Sequence, residues 1–169
     1  MGILLHFLLC LGVVLAQVTL SSFLSIQGIY PDFCLVLACL AGLAAGEYRG
    51  LAIGLTVGFF QDLLTPSGVG LNIILKGLAG TLAGVTTHTF STLTGPVVFF
   101  VTLALSWGCG FASLITTYSM VNFWDFLHLF SSFLLPQGLY HGLLSAAIFW
   151  AIQTFRLFPT MVKSEMRSH

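Results

Sequence analysis

Apolar residues run through this chain in long blocks rather than in alternation. The blocks cover Ile3–Leu24, Phe33–Gly46, Leu51–Leu64, Leu71–Val85, Val97–Tyr118 and Leu139–Phe158. A helix rises about 1.5 Å per residue, so crossing a hydrocarbon core roughly 30 Å thick takes about 20 apolar residues. The pattern predicts a single all-α transmembrane domain over residues 1–169. Its six helices fall at about 3–24, 31–47, 50–64, 70–87, 96–118 and 137–158. The second and third blocks are short. They reach spanning length by extending into Pro31-Asp32 and Glu47-Tyr48-Arg49, or they pack as partial helices, a re-entrant pair being the further alternative. Continuous blocks argue against a β-barrel, whose strands alternate.

Turn chemistry separates the blocks. Gln27-Gly28-Ile29-Tyr30-Pro31 breaks the first connection, Thr65-Pro66-Ser67-Gly68 forms a turn, and Thr94-Gly95-Pro96 punctuates the fourth connection. Pro136 opens the last helix, where a missing N–H is harmless. Between helices five and six, residues 119–135 read as an amphipathic, aromatic-rich segment. Asn122, Asp125, His128 and Ser132 share one face, and Trp124, Phe126 and Phe130 lie among the apolar remainder. The segment lacks the Lys and Arg of a helix seeking anionic lipid, so it is expected at the outer interface or capping the bundle.

Composition sharpens this picture. Charged residues make up 6%, hydrophobic residues 57%, and the formal net charge is zero. A soluble domain carries roughly 25% charged residues. Too few polar residues exist to cover a soluble surface, and no basic patch exists to meet nucleic-acid phosphates. Cys10, Cys34, Cys39 and Cys109 all sit in apolar blocks without zinc-site spacing, so they read as small buried hydrophobes. Neither metal nor cofactor is expected.

Six spans put both termini on one side. That side would hold Arg49, Arg156, Lys163 and Arg167, and the opposite loops hold no basic residue. The positive-inside rule then places both termini in the cytoplasm.

Gly50, Gly54 and Gly58 recur every four residues, with Asp62 next in the row. Asn72, Lys76, Gly80 and Gly84 repeat the spacing on the following helix, and Gly42 and Gly46 add a small face on helix two. Such rows let helix backbones approach closely in lipid, and they are expected to pack helices or partners. A charge in mid-membrane costs at least about 2.5–3.5 kcal/mol and finds a partner inside the bundle. Asp62, Asn72 and Lys76 are therefore expected to form one polar cluster near the outer leaflet. No Gly-x-Ser-x-Gly, Walker loop or His-Glu-x-x-His occurs, and His141 beside Tyr140 reads as a satisfied polar residue. No enzyme is expected.

The motifs come in a telling order. Tyr30-Pro31-Asp32-Phe33 opens helix two, and Gly58-Phe59-Phe60-Gln61-Asp62-Leu63-Leu64 lies in helix three. Gly68-Val69-Gly70-Leu71-Asn72 and Gly80-Thr81-Leu82-Ala83-Gly84 follow, and Leu134-Leu135-Pro136-Gln137-Gly138-Leu139-Tyr140-His141 leads into the last helix. Over nearly its whole length the chain resembles the rod shape-determining protein MreD family. It departs from that pattern at His141, where the family usually has Asn, and at the intramembrane Lys76. The resemblance implies a non-enzymatic subunit of the cell-elongation machinery in the bacterial inner membrane. Its partners would be the bitopic MreC directly, and MreB, RodA and a class B penicillin-binding protein indirectly. It also implies a six-helix bundle resembling the S component of energy-coupling-factor transporters, which would dock and orient MreC. Trp124, Asp125, Phe126, Pro136, Tyr140 and His141 are candidate contacts, with the glycine faces. The other reading is a vitamin-binding S component. It would need an outward cavity lined by Asp62, Asn72, Lys76 and Tyr140, and it is weakened by helix one, which carries only Gly12-x-x-x-Ala16. A small channel, a third reading, lacks charge rings or a carbonyl filter.

Overall fold

The structure, a computed structural model, describes residues 2–21, 23–25, 28–64, 70–90, 92–117 and 123–154. The turn at 65–69, the residue Asn122 and the basic tail residues Arg156, Lys163 and Arg167 lie outside the described residues. Within them every regular element is helical: α1 (Gly2–Leu20), α2 (Phe33–Ala45), α3 (Glu47–Leu64), α4 (Leu71–Thr86), α5 (Gly95–Thr117), α6 (Phe123–Leu129), a π-helical turn (Phe130–Leu134) and α7 (Leu135–Thr154). By length and composition one described helix, over Gly95–Thr116, suffices to cross a membrane, and Leu5–Leu20, Phe33–Ala45 and Leu71–Thr86 are apolar but shorter.

The two short blocks resolve differently. α3 does extend into Glu47-Tyr48-Arg49. α2 does not extend into Pro31-Asp32, because Asp32 caps it: its carboxylate accepts from the Leu35 N–H at 3.0 Å. At the other end Gly46 alone joins α2 to α3, with φ +84°, a conformation that favours glycine. Gly46 is therefore the one-residue junction between the two helices, and its backbone also lies against Gly84 of α4. The Gly46 N–H donates to the Gly42 carbonyl at 2.9 Å, and the Gly50 N–H donates to the Gly46 carbonyl at 3.0 Å.

α3 and α4 run antiparallel with their backbones in contact along most of their length. A Cβ at Gly54 would collide with the Lys76 carbonyl oxygen, and one at Gly58 with the Asn72 carbonyl oxygen. Gly50 meets Gly80, while Gly42 of α2 meets Gly80 and Gly84. Both glycine rows thus pack helices within this one chain. α2 lies at the centre: its Leu35, Cys39 and Leu43 join Ala79, Ala83, Val98 and Phe149 in one core, and its Cys34 joins Cys10, Val14 and Val57 in another. The four cysteines are free, three of them buried.

The exterior is the reverse of a soluble protein's. Phe23 after α1, Ile74 in α4, Phe100 in α5, and Leu143 and Trp150 in α7 are each more than 60% exposed. Exposed apolar surface on this scale marks a partner or a membrane.

The aromatic segment packs along the end of α5. Phe126 stacks on Phe130 at 6.1 Å, and these rings meet Phe111 at 5.6 Å and Trp107 at 5.7 Å. Trp124, Asp125 and His128 are exposed. The π turn carries the segment straight into α7, with the Leu135 N–H donating to the Phe130 carbonyl. Pro136 follows at once. It lies in the first turn of α7, where its missing N–H is harmless, directly after the widened π turn.

Candidate functional site

The ends of α3 and α5 and the starts of α2, α4 and α7 converge at one end of the bundle. Polar side chains from all five meet there. The antiparallel register of α3 and α4 sets Asp62 beside the start of α4. One carboxylate oxygen accepts from the N–H groups of Gly70 (2.9 Å) and Ile73 (3.2 Å). The other accepts from the Asn72 side-chain amide (2.8 Å) and the Asn72 N–H (3.3 Å). The first N–H groups of a helix lack intrahelical partners, and a carboxylate there also meets the positive end of the helix dipole. Gly70, at the N-cap, supplies no side chain, so the preceding helix supplies the cap.

Asn72 passes the network on. Its side-chain Oδ1 accepts from Lys76 Nζ at 2.7 Å. Lys76, buried in the bundle, forms an ion pair with Asp32 at 3.0 Å. The expected cluster of Asp62, Asn72 and Lys76 is present as a hydrogen-bonded chain, but the ion pair is not between Asp62 and Lys76. Asp62 is satisfied by the start of α4, and the buried ammonium finds Asp32 instead. The sequence places Asp32 at the opening of helix two rather than inside an apolar block, so it is not counted among the intramembrane charges.

From Asp32 the network continues into α7 and α5. The Asp32 N–H donates to His141 Nε2 at 2.8 Å, and His141 Nδ1 lies 2.7 Å from Ser106 Oγ. Because Nε2 accepts, Nδ1 carries the proton of the neutral ring and donates to Ser106. A serine nucleophile needs the opposite arrangement, a ring nitrogen that accepts its proton. The Ser106–His141 contact therefore holds helices together and does not activate the hydroxyl. α1 joins through Gln17, whose carboxamide donates to the Pro31 carbonyl (3.0 Å) and accepts from the Phe33 N–H (2.6 Å). Tyr140 donates to the Leu24 carbonyl at 3.1 Å.

This network lines a cavity of about 270 Å³, walled by Asp32, Asn72, Lys76, Ser106, Gln137 and His141, with Leu35, Leu114, Phe133 and Leu134 among the apolar walls. Neither Asp62 nor Tyr140 lines it. Among the described residues no cluster of three His, Cys, Asp or Glu side chains is placed to hold a metal. At the opposite end of the bundle, His88 and Glu47 form an exposed pair at 2.9 Å between the end of α4 and the start of α3.

An apolar exterior around an inward-facing polar network defines a helical protein suited to lipid. The family model for the rod shape-determining protein MreD matches residues 1–158, and the chain belongs to that family. It is accordingly a membrane protein of the bacterial rod-shape machinery, a structural component of that apparatus. No curated protein and no solved structure matches the chain. Two pairs of family-like motifs meet in the network: Pro31-Asp32 touches Tyr140-His141 through the Asp32–His141 bond, and Asp62 touches Asn72.

Proposed function

We propose that this chain is a non-enzymatic, multi-pass scaffold of the inner membrane that binds MreC and fixes its orientation in the machinery building lateral cell wall. Both termini face the cytoplasm in this reading, and the cavity end faces outward. MreB, RodA and the class B penicillin-binding protein are reached through MreC. The observation that carries the proposal is the closed polar network under an apolar exterior. Asp62, Lys76, Asp32 and His141 each hold a second helix, which suits a rigid docking body.

The glycine rows are taken up by contacts within the chain, so the contact surface for MreC falls elsewhere. Trp124, Asp125 and the exposed side of Phe126 are its best candidates, beside the apolar flanks of the helices. Co-purification in mild detergent tests this: MreC should be retained by the wild-type chain and lost when Trp124 and Asp125 are both replaced by Ala. Retention without loss in the double variant would move the surface, and no retention at all would remove the docking role.

The S-component reading draws support from one observation, a cavity that holds Asn72 and Lys76. It lacks the expected Asp62 and Tyr140 in the lining. A nutrient uptake defect with normal cell shape after depletion would favour it over the scaffold.

A further inference from the structure

The cavity has hydrogen-bonding capacity that the helix-to-helix network leaves open. Lys76 has three N–H donors and uses two, on Asn72 and Asp32. Ser106 accepts from His141 and keeps its own O–H. Asp32 uses two of about four carboxylate lone-pair sites, on the Leu35 N–H and on Lys76. Gln137 stands in the wall with no hydrogen bond to the described residues.

Charge restricts what can enter. Lys76 and Asp32 cancel at 3.0 Å. A guest with a net charge would leave that charge uncompensated in a water-poor bundle, which is strongly unfavourable. A guest with a cation and an anion on neighbouring atoms meets no such penalty. It can lie antiparallel to the Lys76–Asp32 pair, so that each charge faces its opposite. Size and lining narrow the choice again. About 270 Å³ falls just under the roughly 300–1,000 Å³ typical of ligand pockets. Leu35, Leu75, Leu114, Phe133 and Leu134 offer an apolar side to the same space.

We propose that this cavity binds a small apolar α-amino acid as its zwitterion. The carboxylate meets Lys76 and Ser106, the ammonium meets Asp32 and Gln137, and the aliphatic side chain lies under Phe133 and Leu134. This proposal stands apart from MreC docking, since a chain that failed to hold MreC could still take the amino acid.

The test uses the full chain in detergent and three probes of one shape: leucine, leucinamide, which keeps only the cation, and 4-methylpentanoate, which keeps only the anion. Leucine at about a hundredfold excess over its Kd should raise the thermal midpoint by about 5 °C, because a ligand that binds only the folded state stabilises it. Each singly charged analogue should bind at least about tenfold more weakly, the equivalent of about 1.4 kcal/mol. Cys109 lies in the cavity wall, so leucine should also slow its alkylation by N-ethylmaleimide, read by peptide mass spectrometry. Replacing Lys76 risks the fold, so Gln137→Leu is the variant of choice, and it should lose both leucine effects. The proposal is overturned if none of the probes changes either readout, if the singly charged analogues match leucine, or if Gln137→Leu responds as the wild type does.

Discussion

Lys76 Nζ lies 3.0 Å from the Asp32 carboxylate, joining the second turn of α4 to the residue that caps α2. Removing one partner of a buried ion pair strands the other, which typically costs about 3–5 kcal/mol. Asp32 is partly exposed, so the lower part of that range applies. Lys76→Met should lower the thermal midpoint in detergent substantially. Lys76→Met combined with Asp32→Asn should recover much of the loss. Exchanging Lys76 with Asp62 should give no recovery, and recovery there would show that the pairing is with Asp62 after all.

Asp62 acts through its carboxylate, which gathers three backbone N–H groups and one amide. Asp62→Asn keeps the size but loses half of the acceptor capacity, and it should cost about 1–3 kcal/mol. Asp62→Ala should cost at least as much. Urea or thermal titration of the purified variants measures both, and equal stability of Asp62→Ala and wild type would contradict the capping role.

The glycine contacts predict a graded series. Gly54→Ala and Gly58→Ala each force a methyl group into a carbonyl of α4. Overpacking of this kind costs about 1–3 kcal/mol, and backbone is slower to yield than side chain. Gly12→Ala meets nothing within 4 Å and should be neutral or slightly stabilising. Membrane-fraction protein levels, measured side by side, should fall for the first two and hold for the third.

Thr102 in α5 is fully buried, and its hydroxyl has no hydrogen-bond partner among the described residues. Thr102→Val replaces that hydroxyl with a methyl group of similar volume. It should raise stability by about 1 kcal/mol, seen as a higher thermal midpoint. A drop would mean that the hydroxyl is in use.

Much of this architecture is legible in the sequence. The apolar blocks locate the six long helices within a few residues, because helix length and hydrophobic continuity are local properties. The rows Gly50-Gly54-Gly58-Asp62 and Asn72-Lys76-Gly80-Gly84 give away the α3–α4 contact, since a four-residue step leaves one face small. What stays hidden is long-range. Of the acids in the chain, spacing favours Asp62 for Lys76, because it is the nearest in sequence and ends the neighbouring glycine row. The choice of Asp32 depends on where α2 packs against α4, which spacing does not encode. The Ser106–His141 bond is hidden for the same reason: nothing near either residue names the other. Spacing places Gly46 on a small helix face, but its positive φ, which ends α2 there, is a backbone property that spacing does not encode.

The position of Asp32 in the chain has a bearing on biogenesis. It emerges from the ribosome well before Lys76, and its N–H waits longer still, until His141 has been made. The first acid in the chain thus gains its full set of partners only once α7 has been made. A polypeptide halted before α7 would leave both the Asp32 N–H and the Ser106 hydroxyl without the His141 ring.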